Sequence, residues 1–180
     1  MFNALPPPKS INKTSLEITA SPQFTLWLAQ QKLSLAFTTY QTNRLLFVGT
    51  LAGRLKIQER LFDKPMGLYA AGEQLYMSTR YQLWKFENLL ETGEIYGECD
   101  CLYTPRIAYT TGDVNIHDVV LNNSQNVIFV NTDFRATLDP KYNFVPLWQP
   151  PFIDKLVAPR SLSPQRFGDG GGETGICNRL

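Results

Sequence analysis

Short runs of β-branched and aromatic residues, a hydrophobic period of two and a segment that recurs about 50 residues later predict an all-β fold of repeated antiparallel units. The architecture these features imply is a partial β-propeller of about two to three blades behind one short N-terminal helix. At 180 residues the chain has the length of one domain with its own core. Its 43% apolar and 18% charged content places it with ordered globular chains, since disorder needs more charge and fewer apolar side chains.

The elements follow in order. Residues 1–20, with Pro6, Pro7 and Pro8 ahead of a polar stretch, carry no hydrophobic period and are expected to form a flexible lead. Ser21 is placed to cap a helix and Pro22 to open it, and Phe24, Trp27 and Leu28 then recur at three-and-four spacing, which predicts a helix over 22–31. Beyond it, strand runs are expected at 33–40, 44–50, 54–61, 67–70, 74–79, 82–86, 106–109, 116–121, 126–131, 136–138 and 144–148. Turn residues separate many of them: Gln41-Thr42-Asn43, Ala52-Gly53, Ala71-Gly72-Glu73, Asn122-Asn123-Ser124 and Asp139-Pro140-Lys141. Trp27, Trp84 and Trp148, with Phe24, Phe86 and Phe144, are spaced as packing between sheets.

The repeat pairs residues 67–79 with 118–131, one residue being inserted in the second copy. Each copy reads as strand, polar turn and second strand, with a third run at 82–86 or 136–138. Such units bury one face only when stacked against neighbours, and at least three are normally needed for stability, whereas two are recognisable.

Seventeen basic and sixteen acidic residues leave a net charge of +1, which excludes the electrostatic footprint of a nucleic-acid or anionic-membrane partner. The first residues have neither a basic nor an apolar leader region and no run is long enough to span a bilayer, so a cytoplasmic protein is expected. Cys99 and Cys101 are one residue apart, which is not a metal-site spacing, and with Cys177 they are read as reduced thiols. The glycines of 168–175 do not form a phosphate loop, and no Gly-x-Ser-x-Gly elbow is present. The sequence requires no cofactor and assigns no catalytic residue.

Candidate ligand-binding residues gather at strand starts. His117 is the single histidine and stands just before the apolar run 119–121, at the opening of a blade's inner strand. An imidazole there can join a metal site, act near neutral pH as acid or base, or hydrogen-bond across a channel. Asp113 and Asp118 flank it, as carboxylates that orient the ring or, for Asp113, as a turn cap. Arg80 and Tyr81 lie where one strand hands over to the next, suited to an anionic ligand or to strand-edge packing. The expected partner is a small molecule or a protein.

Several motifs occur together: residues 35–42, Met66-Gly67-Leu68, residues 79–88, Asp113-Val114-Asn115-Ile116-His117-Asp118, Phe129-Val130-Asn131-Thr132 and Pro146-Leu147-Trp148-Gln149-Pro150-Pro151-Phe152-Ile153. This set resembles a bacterial family of conserved hypothetical proteins with propeller-like repeats, described as a domain of unknown function. The resemblance covers about 21–159 and implies a fold, not an activity. By analogy with propeller lactonases, a metal-assisted hydrolase stands beside the binding module as an alternative. After Pro159 the pattern stops. Back-translated and read from the second nucleotide of each codon, residues 160–180 permit a string beginning Asp-Arg-Cys-His-Leu-Asn-Gly, which resembles the family's next blade opening. The tail is therefore expected to be out of frame, and the chain a truncated, frameshifted member that in one reading has no function of its own. Sequencing the gene across codon 160 is expected to show a blade-like reading downstream in the shifted frame; its absence there would remove the frameshift.

Overall fold

The computed structural model describes residues 18–131, 135–139, 141–148, 151 and 176–178. The only helix among them, α1 (Pro22–Gln31), covers the predicted span. The Ser21 hydroxyl accepts a hydrogen bond from the Phe24 amide at 3.2 Å, and Lys32 ends the helix in the left-handed region at φ 53°. The strands that follow it among the described residues all pair antiparallel, in keeping with the period of two.

Three sheets follow. The first is β1 (Leu35–Thr39), β2 (Arg44–Leu51) and β3 (Arg54–Leu61), paired in that order. The second is a meander of β4 (Leu68–Ala71), β5 (Gln74–Ser78), β6 (Gln82–Asn88) and β7 (Cys101–Thr110). The third repeats it as β8 (Asp118–Leu121), β9 (Val127–Val130), β10 (Arg135–Asp139) and β11 (Asn143–Trp148). The short β12 (Ile176–Asn178) pairs antiparallel with Cys101–Tyr103 of β7, as a fifth strand that the tail sequence does not announce. The all-β class and the repeat are thus present, as three sheets among the described residues rather than a closed ring. The 67–79 and 118–131 copies are the first two strands of the second and third sheets.

Backbone hydrogen bonds fix the equivalence. Met66 N donates to Ser78 O at 3.0 Å, and His117 N donates to Val130 O at 2.9 Å, the same bond in the two copies with the inserted residue between them. Phe62 N donates to Asn43 O at 3.0 Å and Thr111 N to Tyr81 O at 2.8 Å, which makes β2–β3 the counterpart of β6–β7. The first sheet is therefore a third unit that holds the second, third and fourth strands and lacks a first.

The core lies between the sheets in two layers. Leu45 and Phe47 of β2 pack on Leu75, Met77 and Phe86 of the second sheet. Tyr76 and Leu83, on the opposite face of that second sheet, pack on Val119, Val127, Phe129 and Ala136 of the third. The period of two sends alternate residues of β5 to different neighbours, so both faces are consumed. Burial of such side chains contributes about 1.5–3 kcal/mol each. The aromatic expectation holds in part. Phe86 is fully buried, Trp84 packs edge-to-face on Phe62 and Phe144 packs on Phe129, but Trp27 and Trp148 are about half exposed because they stand at the two ends of the stack. β7 starts five residues before its predicted run: its Cys-Leu-Tyr-Thr opening precedes Pro105, which the register accommodates with a shift between Lys85 and Phe86.

The cysteines depart from the expectation of reduced thiols. Cys99 is joined in a disulfide, whereas Cys101 remains a free, buried thiol. The spacing along the chain did not reveal this. Burial pushes the Cys101 thiol up from 9.0 to about 11, with Asp100 and Glu73 adding to the rise.

Two predictions follow from this packing. A Cβ on Gly67 would stand 2.8 Å from Asp118 Cα and 3.0 Å from Val119 N, which are backbone atoms unable to swing aside. Gly67→Ala is expected to cost roughly 1–3 kcal/mol in chemical denaturation, and an unchanged midpoint would contradict the contact. The folded Cys101 keeps a proton that the unfolded chain releases above 9.0, so its contribution is fully present below that pH and is lost as pH rises through about 11. Denaturation midpoints measured across this window are expected to fall, and Cys101→Ala to make the fall shallower. Tyr76 and Tyr103, whose phenols burial also pushes up, keep some slope in that variant.

Candidate functional site

The loops that lead into β4 and β8, residues 62–67 and 111–117, are equivalent, and they bring most of the predicted residues to one end of the sheets. Lys64 and Asn115 hold matching places in them, 51 residues apart as are Gly67 and Asp118. Both are left-handed, at φ 50° and 52°. A lysine in this region is uncommon, and its side chain is held: Lys64 Nζ donates to Asn115 Oδ1 at 2.9 Å. Asn115 Nδ2 lies 3.1 Å from His117 Nε2.

This chain determines its own polarity. An ammonium only donates, so the amide oxygen of Asn115 faces Lys64 and its nitrogen faces the imidazole. His117 Nε2 then accepts, and the neutral ring carries its proton on Nδ1. His117 stands exposed directly before β8, where its backbone amide bonds Val130 O. The predicted position at a strand start is thus observed. Asn115 lies against the ring, Asp118 Oδ1 accepts from the amide of Val119 at 2.8 Å, and Asp113 Oδ2 lies 3.4 Å from Arg80 Nε.

Arg80 sits in the turn between β5 and β6 and joins the two loops. Its amide donates to Asp63 O at 2.9 Å. Its guanidinium lies 3.4 Å from Asp113 Oδ2 through Nε and 3.9 Å from Asp63 Oδ2 through NH1. Nε is buried without an aligned hydrogen bond, so the Asp113 contact is electrostatic rather than a directed bond. The side chain as a whole is about one-third exposed, and it lies over the Tyr81 ring at 5.5 Å. Asn131 ties the third sheet to the same place by donating from Nδ2 to Val114 O at 2.9 Å.

All five predicted residues therefore belong to one region, although Tyr81 and Asp118 touch it only through their neighbours. Lys64, Asn115 and Asp63 were not singled out from the sequence. The signal was available: extending the 51-residue repeat three positions upstream aligns Lys64 with Asn115. Arranged this way, the region offers an ammonium, a guanidinium and an imidazole as donors, with two carboxylates already engaged by Arg80. Among the described residues no three histidine, cysteine, aspartate or glutamate side chains converge as a metal site would require. Nor is any helix among them long and apolar enough to cross a membrane.

No curated protein and no solved structure matches the chain. A family model does, over residues 22–161, from the start of α1 to beyond the last strand of the third sheet. The chain belongs to the family described as a domain of unknown function, DUF4915.

Proposed function

We propose that this chain is a propeller-type binding or interaction module whose ligand end is the junction of the 62–67 and 111–117 loops. The observation that carries the reading is the convergence of Lys64, Arg80, Asn115 and His117 from three separate loops onto one end of the sheets. In repeated β architectures such loop ends are where binding residues collect, because the strands hold the backbone and leave the loops free to vary. The donors outnumber the acceptors not already engaged, which favours a small ligand or partner side chain bearing carboxylate or phosphate oxygens. Arg80, His117 and Tyr81 contact the ligand, while Asp113 and Asp63 set the guanidinium and Asp118 sets the start of β8. No observation favours the metal-assisted hydrolase over this module.

His117 is the only histidine, so its imidazole proton resonance is a single, assigned reporter of the site. Titration of the chain with citrate and with inorganic phosphate is expected to shift that resonance saturably with at least one of them. Arg80→Gln removes a charged donor and is expected to weaken the interaction by roughly tenfold or more. The absence of a saturable shift with either anion, or an affinity indifferent to Arg80→Gln, would refute the anion-binding reading.

A further inference from the structure

The second and third sheets open with short first strands, β4 and β8, which cover the inner edges of β5 and β9. The first sheet begins at the second-strand position. Its β1 takes the place of β5: Thr38 bonds Met66 O much as Ser78 bonds Ile116 O, so Leu35, Ala36 and Phe37 stand where Leu75, Tyr76 and Met77 stand. Among the described residues β1 pairs with β2 alone, and α1, which precedes it, packs on β2.

Leu75, Tyr76 and Met77 are buried, whereas Leu35, Ala36 and Phe37 are exposed. Ala36 pairs with Phe47 and so lies on the face turned to the second sheet, where the end of the stack does not account for its exposure. The hydrogen-bond ladder gives the direction of the backbone. Thr79 N donates to Gln82 O at 2.7 Å and Ser78 N to Gly67 O at 2.9 Å, so alternate residues of β5 serve β6 and β4, and Tyr76 serves β4. By the same alternation Ala36 turns its amide and carbonyl away from β2, to the open edge.

A strand edge is a template for another strand, and edges that stay single are blunted by charges or proline. The edge strand β3 carries Arg54, Lys56, Glu59 and Arg60, and the edge strand β11 carries Pro146. β1, Leu-Ala-Phe-Thr-Thr, has neither. We propose that β1 is a docking edge, which takes an uncharged extended segment of another polypeptide as the first strand of this sheet, antiparallel to β1. The molecule holds two examples of what fits: β4 and β8 are four residues each, and apart from Asp118 neither carries a charge. In β4, Tyr69 lies opposite Tyr76. The same place beside β1 faces Ala36, whose small side chain leaves room for an aromatic ring. The docking edge uses none of the ligand-end residues, so the two readings fail separately.

A fluorescein-labelled peptide with the sequence of residues 66–72 serves as the probe, read by anisotropy against the full chain. Saturable binding is expected. A peptide N-methylated at its tyrosine, which lacks the amide that Ala36 O would accept, is expected to bind roughly tenfold more weakly or worse. Ala36→Pro removes the outward amide without removing a β1–β2 hydrogen bond. It is expected to weaken binding to a similar extent with unchanged circular dichroism, and Ala36→Lys takes its place should proline unfold the protein. Absence of saturable binding, equal binding of the N-methylated peptide, or binding indifferent to both Ala36 variants would each overturn the proposal. So would sedimentation of the wild-type chain as a dimer that Ala36→Pro dissolves, because the edge would then be occupied by a second copy.

Discussion

The structure depends on how closely one repeat approaches the next. At Gly67 the backbone that opens β4 comes so near to Asp118 at the opening of β8 that no Cβ fits between them. Ser78 seals the junction from the side: its hydroxyl accepts from the Gly67 amide at 2.8 Å and lies 3.3 Å from Ile116 O. Thr38 at the end of β1 reaches Met66 O in the corresponding way, so the same device joins the first sheet to the second. With the strand openings held at that spacing, the sheets fan apart only as far as their facing side chains allow, and the two apolar layers fill the space.

The same constraint builds the candidate site. Because the entry loops into β4 and β8 are equivalent and adjacent, residues at matching repeat positions become neighbours in space. Lys64 thus meets Asn115, and the hydrogen bond between them carries polarity on to His117. Arg80 adds a tie across the loops through Asp63 and Asp113, and the loops tolerate left-handed residues at both matching positions. A repeat that packs tightly at its backbone gathers its variable loop residues without any further element.

Much of this was legible from residues alone. The helix over 22–31 was set by local chemistry, a serine cap and a proline at the first turn, which need no distant partner. The strands β2, β3, β5 and β9 were legible from alternation and turn residues, because a strand with buried alternate positions writes its period into the sequence. His117, Asp113, Asp118, Arg80 and Tyr81 were singled out because polar residues stand where strands begin. The first sheet was not recognised as a third repeat: it lacks the opening strand that carries the recognisable Gly67-like segment, and its equivalence rests on backbone bonds such as Phe62 to Asn43.

The sequence by itself determined the all-β class, the capped helix, the strand periods and the offset that relates one unit to the next, because all of these are local or periodic properties of the chain. Tertiary structure alone decided that Asn115 meets His117, that Asp113 pairs with Arg80, that Trp27 and Trp148 stay half exposed, and that Cys99 is oxidised. Each of those outcomes turns on which side chains are brought together from distant positions. That is set by the closeness of approach at Gly67 and by the register of the sheets, which no local pattern encodes.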